Sequence, residues 1–398
     1  MEVERGSWLS IETYYRDSWV EVRLDSIKDN IQRLQQNLRK QTGIYAVVKA
    51  NAYGHGDIQV AHAALEAGAQ ALAVSLLDEA LKLREEGVEA PILVMGWIRP
   101  QDVHLAAKHD ISVTVFQKDW LEEVKRQSFT EPISLHIKWD TGMGRIGIRT
   151  KEDLQAVLQE FTDSRLKLDG VFTHFSTADE EDVSYFEKQQ ARFEELLEEF
   201  QRLWSQPVSI HTGNSAASMR FPDQMHQMVR FGIGMYGLYP SSDVKAIDPI
   251  PLQPAFSLHS QLIHVKELPE GESISYGADY TTKGQEWIGT VPLGYADGWI
   301  RKLQGMDVLV NGKRVPIVGK ICMDQFMIKL DQHYPVGTKV TLIGKQGSEE
   351  IEMDEVANYV DTINYEIPCL ISYRVPRIYV KDENIIEIEN SLSIEEME

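Results

Sequence analysis

Over the first two-thirds of the chain, short runs of apolar and β-branched residues alternate with longer stretches in which apolar positions recur every three or four residues. The short runs predict strands at Tyr45–Lys49, Ala71–Ser75, Ile92–Met95, Ile111–Phe116, Ile133–Trp139, Leu168–His174, Val208–His211 and Met228–Gly234. The stretches between them, among them Asp57–Ala67, Leu77–Glu86, Lys151–Glu160 and the long Ser184–Trp204, read as amphipathic helices. Eight β-α units within roughly 230 residues predict an α/β fold, a (β/α)8 TIM barrel in the N-terminal domain. An open doubly wound sheet holds the same alternation in fewer strands. From Pro249, Pro251 and Pro254 onward, short strands replace helices: Phe256–Val265, Ile288–Pro292, Asp307–Val310, Arg314–Val318, Phe326–Leu330 and Lys339–Ile343. Asn311-Gly312 between two of them is a two-residue hairpin signal, and a short helical stretch, Met353–Val360, interrupts the series. The expected organisation is a barrel over residues 12–249 and a mainly β domain over 250–390. Residues 1–11 are placed with the β domain, and 391–398 form an acidic tail that frays.

Charge and cysteine content narrow the class. With 61 acidic against 40 basic residues the formal charge is −21, and no basic stripe gathers the positive charge, which sets aside nucleic acid and anionic membranes as partners. Two cysteines, Cys322 and Cys369, make neither a disulfide framework nor a metal-type spacing, so no metal is expected. The charged Met1-Glu2-Val3-Glu4-Arg5 start and the lack of any apolar run approaching the roughly 18 residues of a membrane helix predict a soluble, cytoplasmic protein.

The chemistry lies where the strands end, because all eight carboxyl ends of such a barrel face one mouth. Lys49 closes the first strand and is followed by Ala50, Ala52, Gly54 and Gly56, which leave room for a bulky group, with Tyr53 and His55 nearby. Asp140, Met143 and Arg145 follow the fifth strand; His174 ends the sixth; His211, Asn214 and Ser215 follow the seventh; Arg230, Gly232 and Ile233 lie on the eighth. Each alone admits a structural role: Lys49 a solvated strand tip, His174 a core histidine, Asp140 a helix cap. Five strand ends in register point to a site. A lysine on an apolar wall can be held neutral and nucleophilic, and the Asn214-Ser215 and Gly232-Ile233 segments suit a phosphate. A phosphate on one side and an amine on the other suggest pyridoxal 5'-phosphate, bound as an imine to Lys49. Gly142-Met143-Gly144-Arg145-Ile146-Gly147 and Gly232-Ile233-Gly234-Met235-Tyr236-Gly237 match dinucleotide-fingerprint spacing, but neither opens a helix in a βαβ unit with an acidic residue about 20 positions on. In the β region, Ser275-Tyr276-Gly277, Gly294-Tyr295-Ala296-Asp297-Gly298, Cys322-Met323-Asp324 and Asn364-Tyr365-Glu366 place polar or aromatic groups at turns, where tyrosines also serve as packing residues.

These stretches together resemble the alanine racemases, pyridoxal-phosphate enzymes of fold type III. The resemblance rests on residues 46–56, 138–147, 173–175, 211–215, 230–237, 275–277, 294–298 and 321–324, in the family's order over nearly the whole chain. It implies that Lys49 binds the cofactor covalently and is one of two catalytic bases, Tyr276 being the other. Tyr53, Ser215, Gly232, Ile233 and Tyr365 resemble the phosphate-binding set, with Asn214 beside it. His174 would stack on the pyridine ring, and Arg230 would donate to the ring nitrogen with His211 behind it. Arg145, Met323 and Tyr295 would hold the substrate, while Cys322 and Asp324 are supporting residues. Lys138 matches a lysine that is often carbamylated. By the same resemblance the protein is a homodimer in which Tyr276, Cys322, Met323 and Asp324 serve the other copy's Lys49, and D-alanine supply to peptidoglycan is its role. Trp139 stands where a smaller aliphatic residue is usual and should face the barrel's outside. A racemase of broader range, acting on serine or basic amino acids, and a non-enzymic carrier of the cofactor are the competing expectations.

Overall fold

The computed structural model describes residues 14–247 and 250–392, which divide into two units. One, residues 26–52 and 57–253, is built on a closed barrel of eight parallel strands. The strands are Gly43–Val47, Ala71–Val74, Ile92–Val94, Ile111–Val115, Ile133–Lys138, Leu166–Phe172, Ser209–His211 and Met228–Phe231, the eight expected. The last pairs with the first, Tyr45 opposite Arg230 and Ala46 opposite Phe231, which removes the open-sheet alternative. Strands covered on both faces read as unbroken apolar runs, and Gly43–Val47, Ala71–Val74 and Ile92–Val94 are buried at every residue. The helix Leu24–Asn37, absent from the expected elements, buries Ile27, Ile31 and Leu34 on one stripe. The long helix Ser184–Leu203 packs Phe193 and Phe200 against Trp139, ring centroids 4.8 and 6.0 Å away, so Trp139 does point outward, into the helical layer.

The other unit, residues 14–25, 53–56 and 254–392, is mostly β. Sequence placed residue 12 onward with the barrel. The strand Ser18–Arg23 instead lies inside this unit's sheet, antiparallel to Phe256–Gln261 and parallel to Arg377–Lys381. The expected run Phe256–Val265 breaks into Phe256–Gln261 and His264–Leu268. Leu262 N–H donates to Thr338 O and Ile263 N–H to Thr290 O, so the chain changes neighbours at that point. Asn311-Gly312 closes the expected hairpin: Val310 pairs with Lys313, and φ is 49° and 72° at the two loop residues, the signs a type I′ turn needs. The helix Met353–Tyr359 is present, and the final hairpin Arg377–Lys381 with Asn384–Glu389 is an addition to the expected strands.

Candidate active site

The first barrel strand stops at Val47, and Lys49 opens a turn of the wrong hand for L-residues. Ala50, Asn51 and Ala52 have φ/ψ of 54/51°, 53/49° and 50/51°, and Tyr53 continues at φ 54°. Left-handed helix costs roughly 1–2 kcal/mol per non-glycine residue, so such a turn persists only where neighbours hold it. Three bonds within the barrel unit do so. Ala52 N–H donates to Val48 O (2.9 Å), Ala50 N–H donates to Glu79 Oε1 (2.6 Å), and Asn51 Oδ1 accepts from Asp57 N–H (2.9 Å).

Around the mouth the barrel gathers positive charge. Lys138 is 4% exposed, and burial, then Arg145, Arg230 and Lys49, push its pKa down to about 7 against the opposing pull of Asp140. Asp140 is itself engaged: Oδ1 accepts from Gly142 N–H (3.1 Å) and Gly144 N–H (2.9 Å), shaping the loop that leads to the exposed Arg145. The structural alternative for Asp140 therefore holds in part, as a loop cap.

Arg230 is buried, and four of its bonds fasten it to the ends of neighbouring strands. Nη1 donates to His211 Nδ1 and O, both at 2.8 Å; Nη2 donates to Thr173 O (2.6 Å) and Thr212 O (3.0 Å) and lies 3.4 Å from His174 Nδ1. A guanidinium has five N–H donors; among the described residues these bonds leave Nε–H as the one to offer a ligand. Burial brings the Arg230 pKa down to about 9, which keeps it cationic at neutral pH. Because Arg230 donates to His211 Nδ1, His211 carries its proton on Nε2 and passes a hydrogen bond to His136 Nδ1 at 2.9 Å. Both rings are buried and neutral: burial pushes His136 down to about 4 and, joined by Arg230, His211 well below the ordinary range. Phe172 stacks on His211 at 4.6 Å, and a Cβ on Gly170 would come within 2.2 Å of His136 Nδ1. His174 is also held neutral, by desolvation and then by Arg230 and the other cations.

On the last two strands, Asn214 caps the helix Ser215–Arg220 by accepting from Ala217 N–H (3.0 Å), and Ser215 Oγ accepts from Gly232 N–H (3.0 Å) and Gly234 N–H (3.3 Å). The expected phosphate-side segments are thus adjacent. Lys49, Lys138, Arg145, His174, His211, Asn214, Ser215, Arg230, Gly232 and Ile233 all belong to the barrel unit.

The remaining expected residues fall in the β unit. Tyr53 lies against Tyr365, ring centroids 6.2 Å apart, and burial raises its pKa above the usual phenol range. Tyr276 sits in a strained turn, Ser275 at φ 71° and Ala278 at φ 49°, tied down by Ser275 Oγ donating to Lys320 O (2.6 Å). Tyr295 N–H donates to Cys322 O (3.1 Å) and Ala296 N–H to Met323 O (3.0 Å), which lays the two motifs side by side. Tyr276 is 71% and Met323 53% exposed. The same unit holds an ion network that sequence reasoning missed. The fully buried Asp297 takes a two-pronged bond from Arg16 (2.7 and 3.0 Å) and approaches Arg374 (3.5 Å), which also holds Asp324 (2.8 Å).

Known proteins resemble this chain in sequence and fold. Residues 22–240 match the family model for the alanine racemase N-terminal domain and residues 255–379 that for the C-terminal domain. The alanine racemase of Geobacillus stearothermophilus is 56% identical over 381 residues, 95% of this chain and 97% of that protein. The crystal structure of Bacillus anthracis alanine racemase with bound L-Ala-P superposes with a TM-score of 0.93 at 50% identity, covering 96% of this chain and 99% of the other. A histidine racemase from Leuconostoc mesenteroides gives 0.84 at 32% identity, covering 93% and 100%. The chain belongs to the alanine racemase family.

Proposed function

We propose that this protein is an alanine racemase that interconverts L- and D-alanine with pyridoxal 5'-phosphate held at the barrel mouth. The carrying observation is the excess of positive charge there: Lys49, Lys138 and Arg145 around the buried Arg230, with Asp140 the carboxylate that opposes them. A site so charged is suited to anions, here a phosphate and a substrate carboxylate. The donor set fits the cofactor: an amine for its aldehyde, Arg230 Nε–H for its ring nitrogen, and the Ser215 and Gly232-Ile233 segments for its phosphate, with Asn214, Tyr53 and Tyr365 as further contacts. When bound, the cofactor supplies the electron sink for a deprotonated α-carbon.

The chain's own groups do the rest. Lys49 would anchor the cofactor and move the proton on one face of the α-carbon; Tyr276 would move it on the other. Arg230 only donates, so it orients the ring nitrogen without giving it a proton, and the neutral His211 and His136 behind it fix its plane. His174 would lie against the ring, and Arg145, Met323 and Tyr295 would hold the substrate. Lys138, with its pKa near 7, keeps a large neutral fraction that can add carbon dioxide as a carbamate and offset the cations around it. The exposure of Tyr276 and Met323 supports a homodimer in which each copy's β unit serves the other's Lys49. Supply of D-alanine to peptidoglycan in the cytoplasm is the setting that this activity fits; among the described residues no helix is long and apolar enough to cross a membrane.

The test is incubation of the loaded enzyme with each L-amino acid in deuterium oxide, following α-proton exchange and chirality. Alanine should invert; absence of inversion refutes the reading. The likeness to a histidine racemase makes a broader substrate range the second reading, and inversion of serine, histidine or lysine at rates comparable to alanine would favour it. Lys49→Ala should abolish covalent attachment, whereas Tyr276→Phe should keep attachment and lose turnover.

A further inference from the structure

We propose that Glu79 is a positioning residue for Lys49, acting through the left-handed turn; the proposal rests on the reading of Lys49 as the cofactor's anchor. Glu79 lies in the first turn of the helix Leu77–Glu85, where Oε2 accepts from Ser75 N–H (2.8 Å) and Leu76 N–H (3.0 Å), as a residue there commonly does. That role uses one oxygen. The other, Oε1, accepts from Ala50 N–H at 2.6 Å, across 29 positions of sequence. Ala50 N–H belongs to the peptide group that begins with the Lys49 carbonyl, so the bond fixes the plane at the base of the lysine side chain.

The position of the clamp explains the need for it. The first and second barrel strands pair as far as Val47 with Ala73, and Val48 N–H still reaches Ala73 O at 3.0 Å. Beyond that the strand ladder ends, on one side at Lys49 and on the other at Ser75 and Leu76. Glu79 bridges the two ends with one carboxylate. A right-handed backbone at Ala50–Ala52 is the lower-energy local choice, and it would redirect the Lys49 stem; the bond from Ala50, made to a charged acceptor, opposes it.

Glu79→Ala and Glu79→Gln, each alone and combined with Ala50→Gly, test the assignment in the full-length protein. The readouts are amide exchange at Ala50 without cofactor, affinity for pyridoxal phosphate, borohydride-trapped adduct at Lys49, and kcat and KM for L-alanine. Loss of a charge-assisted bond predicts that Glu79→Ala exchanges Ala50 at least about tenfold faster, binds pyridoxal phosphate about tenfold more weakly and loses about tenfold in kcat, with KM for alanine within about twofold. Glycine adopts the left-handed conformation without a steric penalty. Ala50→Gly should therefore restore part of kcat and affinity to Glu79→Ala, while leaving any loss of melting temperature from the missing helix cap. A Glu79→Ala protein that melts earlier but keeps affinity and kcat within about twofold of wild type, or one that gains nothing from Ala50→Gly, would make Glu79 a helix cap only and overturn the proposal. If Glu79→Ala does not fold, Glu79→Gln, which keeps one carbonyl acceptor, carries the same comparisons. A wild-type protein that forms no adduct at Lys49 would sink the anchor reading and the positioning role with it, a failure distinct from one confined to the variants.

Discussion

Acidification from pH 7.5 to 5 should cost the cofactor-free barrel about 4 kcal/mol through two histidines alone. His136 and His211 are buried at 3% and 0% exposure and held neutral, His136 down to about 4 and His211 well below its ordinary value. In the unfolded chain both titrate near 6.5. Below that pH the unfolded state takes up two protons that the folded barrel refuses, so stability is full above about pH 6.5 and falls as pH drops toward the folded values. Each histidine contributes RT ln(1 + 10^(6.5 − pH)), about 2 kcal/mol at pH 5, against a total stability on the order of 5–15 kcal/mol. Ordinary carboxylates stay largely ionised in both states over this window and add little. Urea titrations read by pulse proteolysis at several pH values would measure the slope. His174 and His259, also pushed down by burial, add to the measured loss, and His136→Asn, whose side-chain oxygen can accept the bond from His211 Nε2–H, should remove about 2 kcal/mol of it at pH 5. A wild-type stability that is flat from pH 7.5 to 5, or a slope unchanged in His136→Asn, would refute the claim that these rings are neutral in the folded state.

Other perturbations should act through different contacts. Gly170→Ala puts a methyl group 2.2 Å from His136 Nδ1 and should destabilise the barrel by about 1–3 kcal/mol in the same urea assay; combination with His136→Ala should return part of the loss. Arg16→Ala strips the buried Asp297 of its two-pronged partner and leaves Arg374 at 3.5 Å, so a loss of about 2–4 kcal/mol and a raised KM for alanine are expected. Arg16→Lys should recover only part of it, since an ammonium cannot make the paired bond. Arg230→Glu should let the ring nitrogen take a proton and raise pyridoxamine phosphate formation during turnover; chromatography that shows no rise would count against the orienting role of Arg230.

The barrel was legible because its strands are short, buried on both faces and therefore continuously apolar. The strand-end rule then collected Lys49, Arg145, His174, His211, Ser215 and Arg230 without any knowledge of contacts. What escaped was long-range or conformational. Ser18–Arg23 alternates visibly, Val20 and Val22 against Trp19, Glu21 and Arg23, but its partners lie at Phe256–Gln261 and Arg377–Lys381, out of reach of any local pattern. Arg16 and Asp297 are 281 positions apart. Ala50 and Ala52 have no preference for left-handed backbone, so the turn at Lys49 is imposed by Glu79, Asn51 and Val48 rather than announced by the residues that adopt it. His136 sits inside an ordinary strand pattern, and only the approach of His211 turns it into part of the Arg230 support.

The placement of Ser18–Arg23 also has a consequence for synthesis. It leaves the ribosome before the barrel does, yet the strands on either side of it are encoded after the barrel and near the far end of the chain. At about 5–20 residues per second, the wait for Phe256–Gln261 is on the order of ten to fifty seconds, and for Arg377–Lys381 longer still. Only after Met228–Phe231 has emerged can the barrel close, and until then and beyond it Ser18–Arg23 remains an unpaired strand with two open edges. The nascent chain is thus most exposed to wrong pairing at Ser18–Arg23, and the β unit becomes whole only when Arg377–Lys381 arrives.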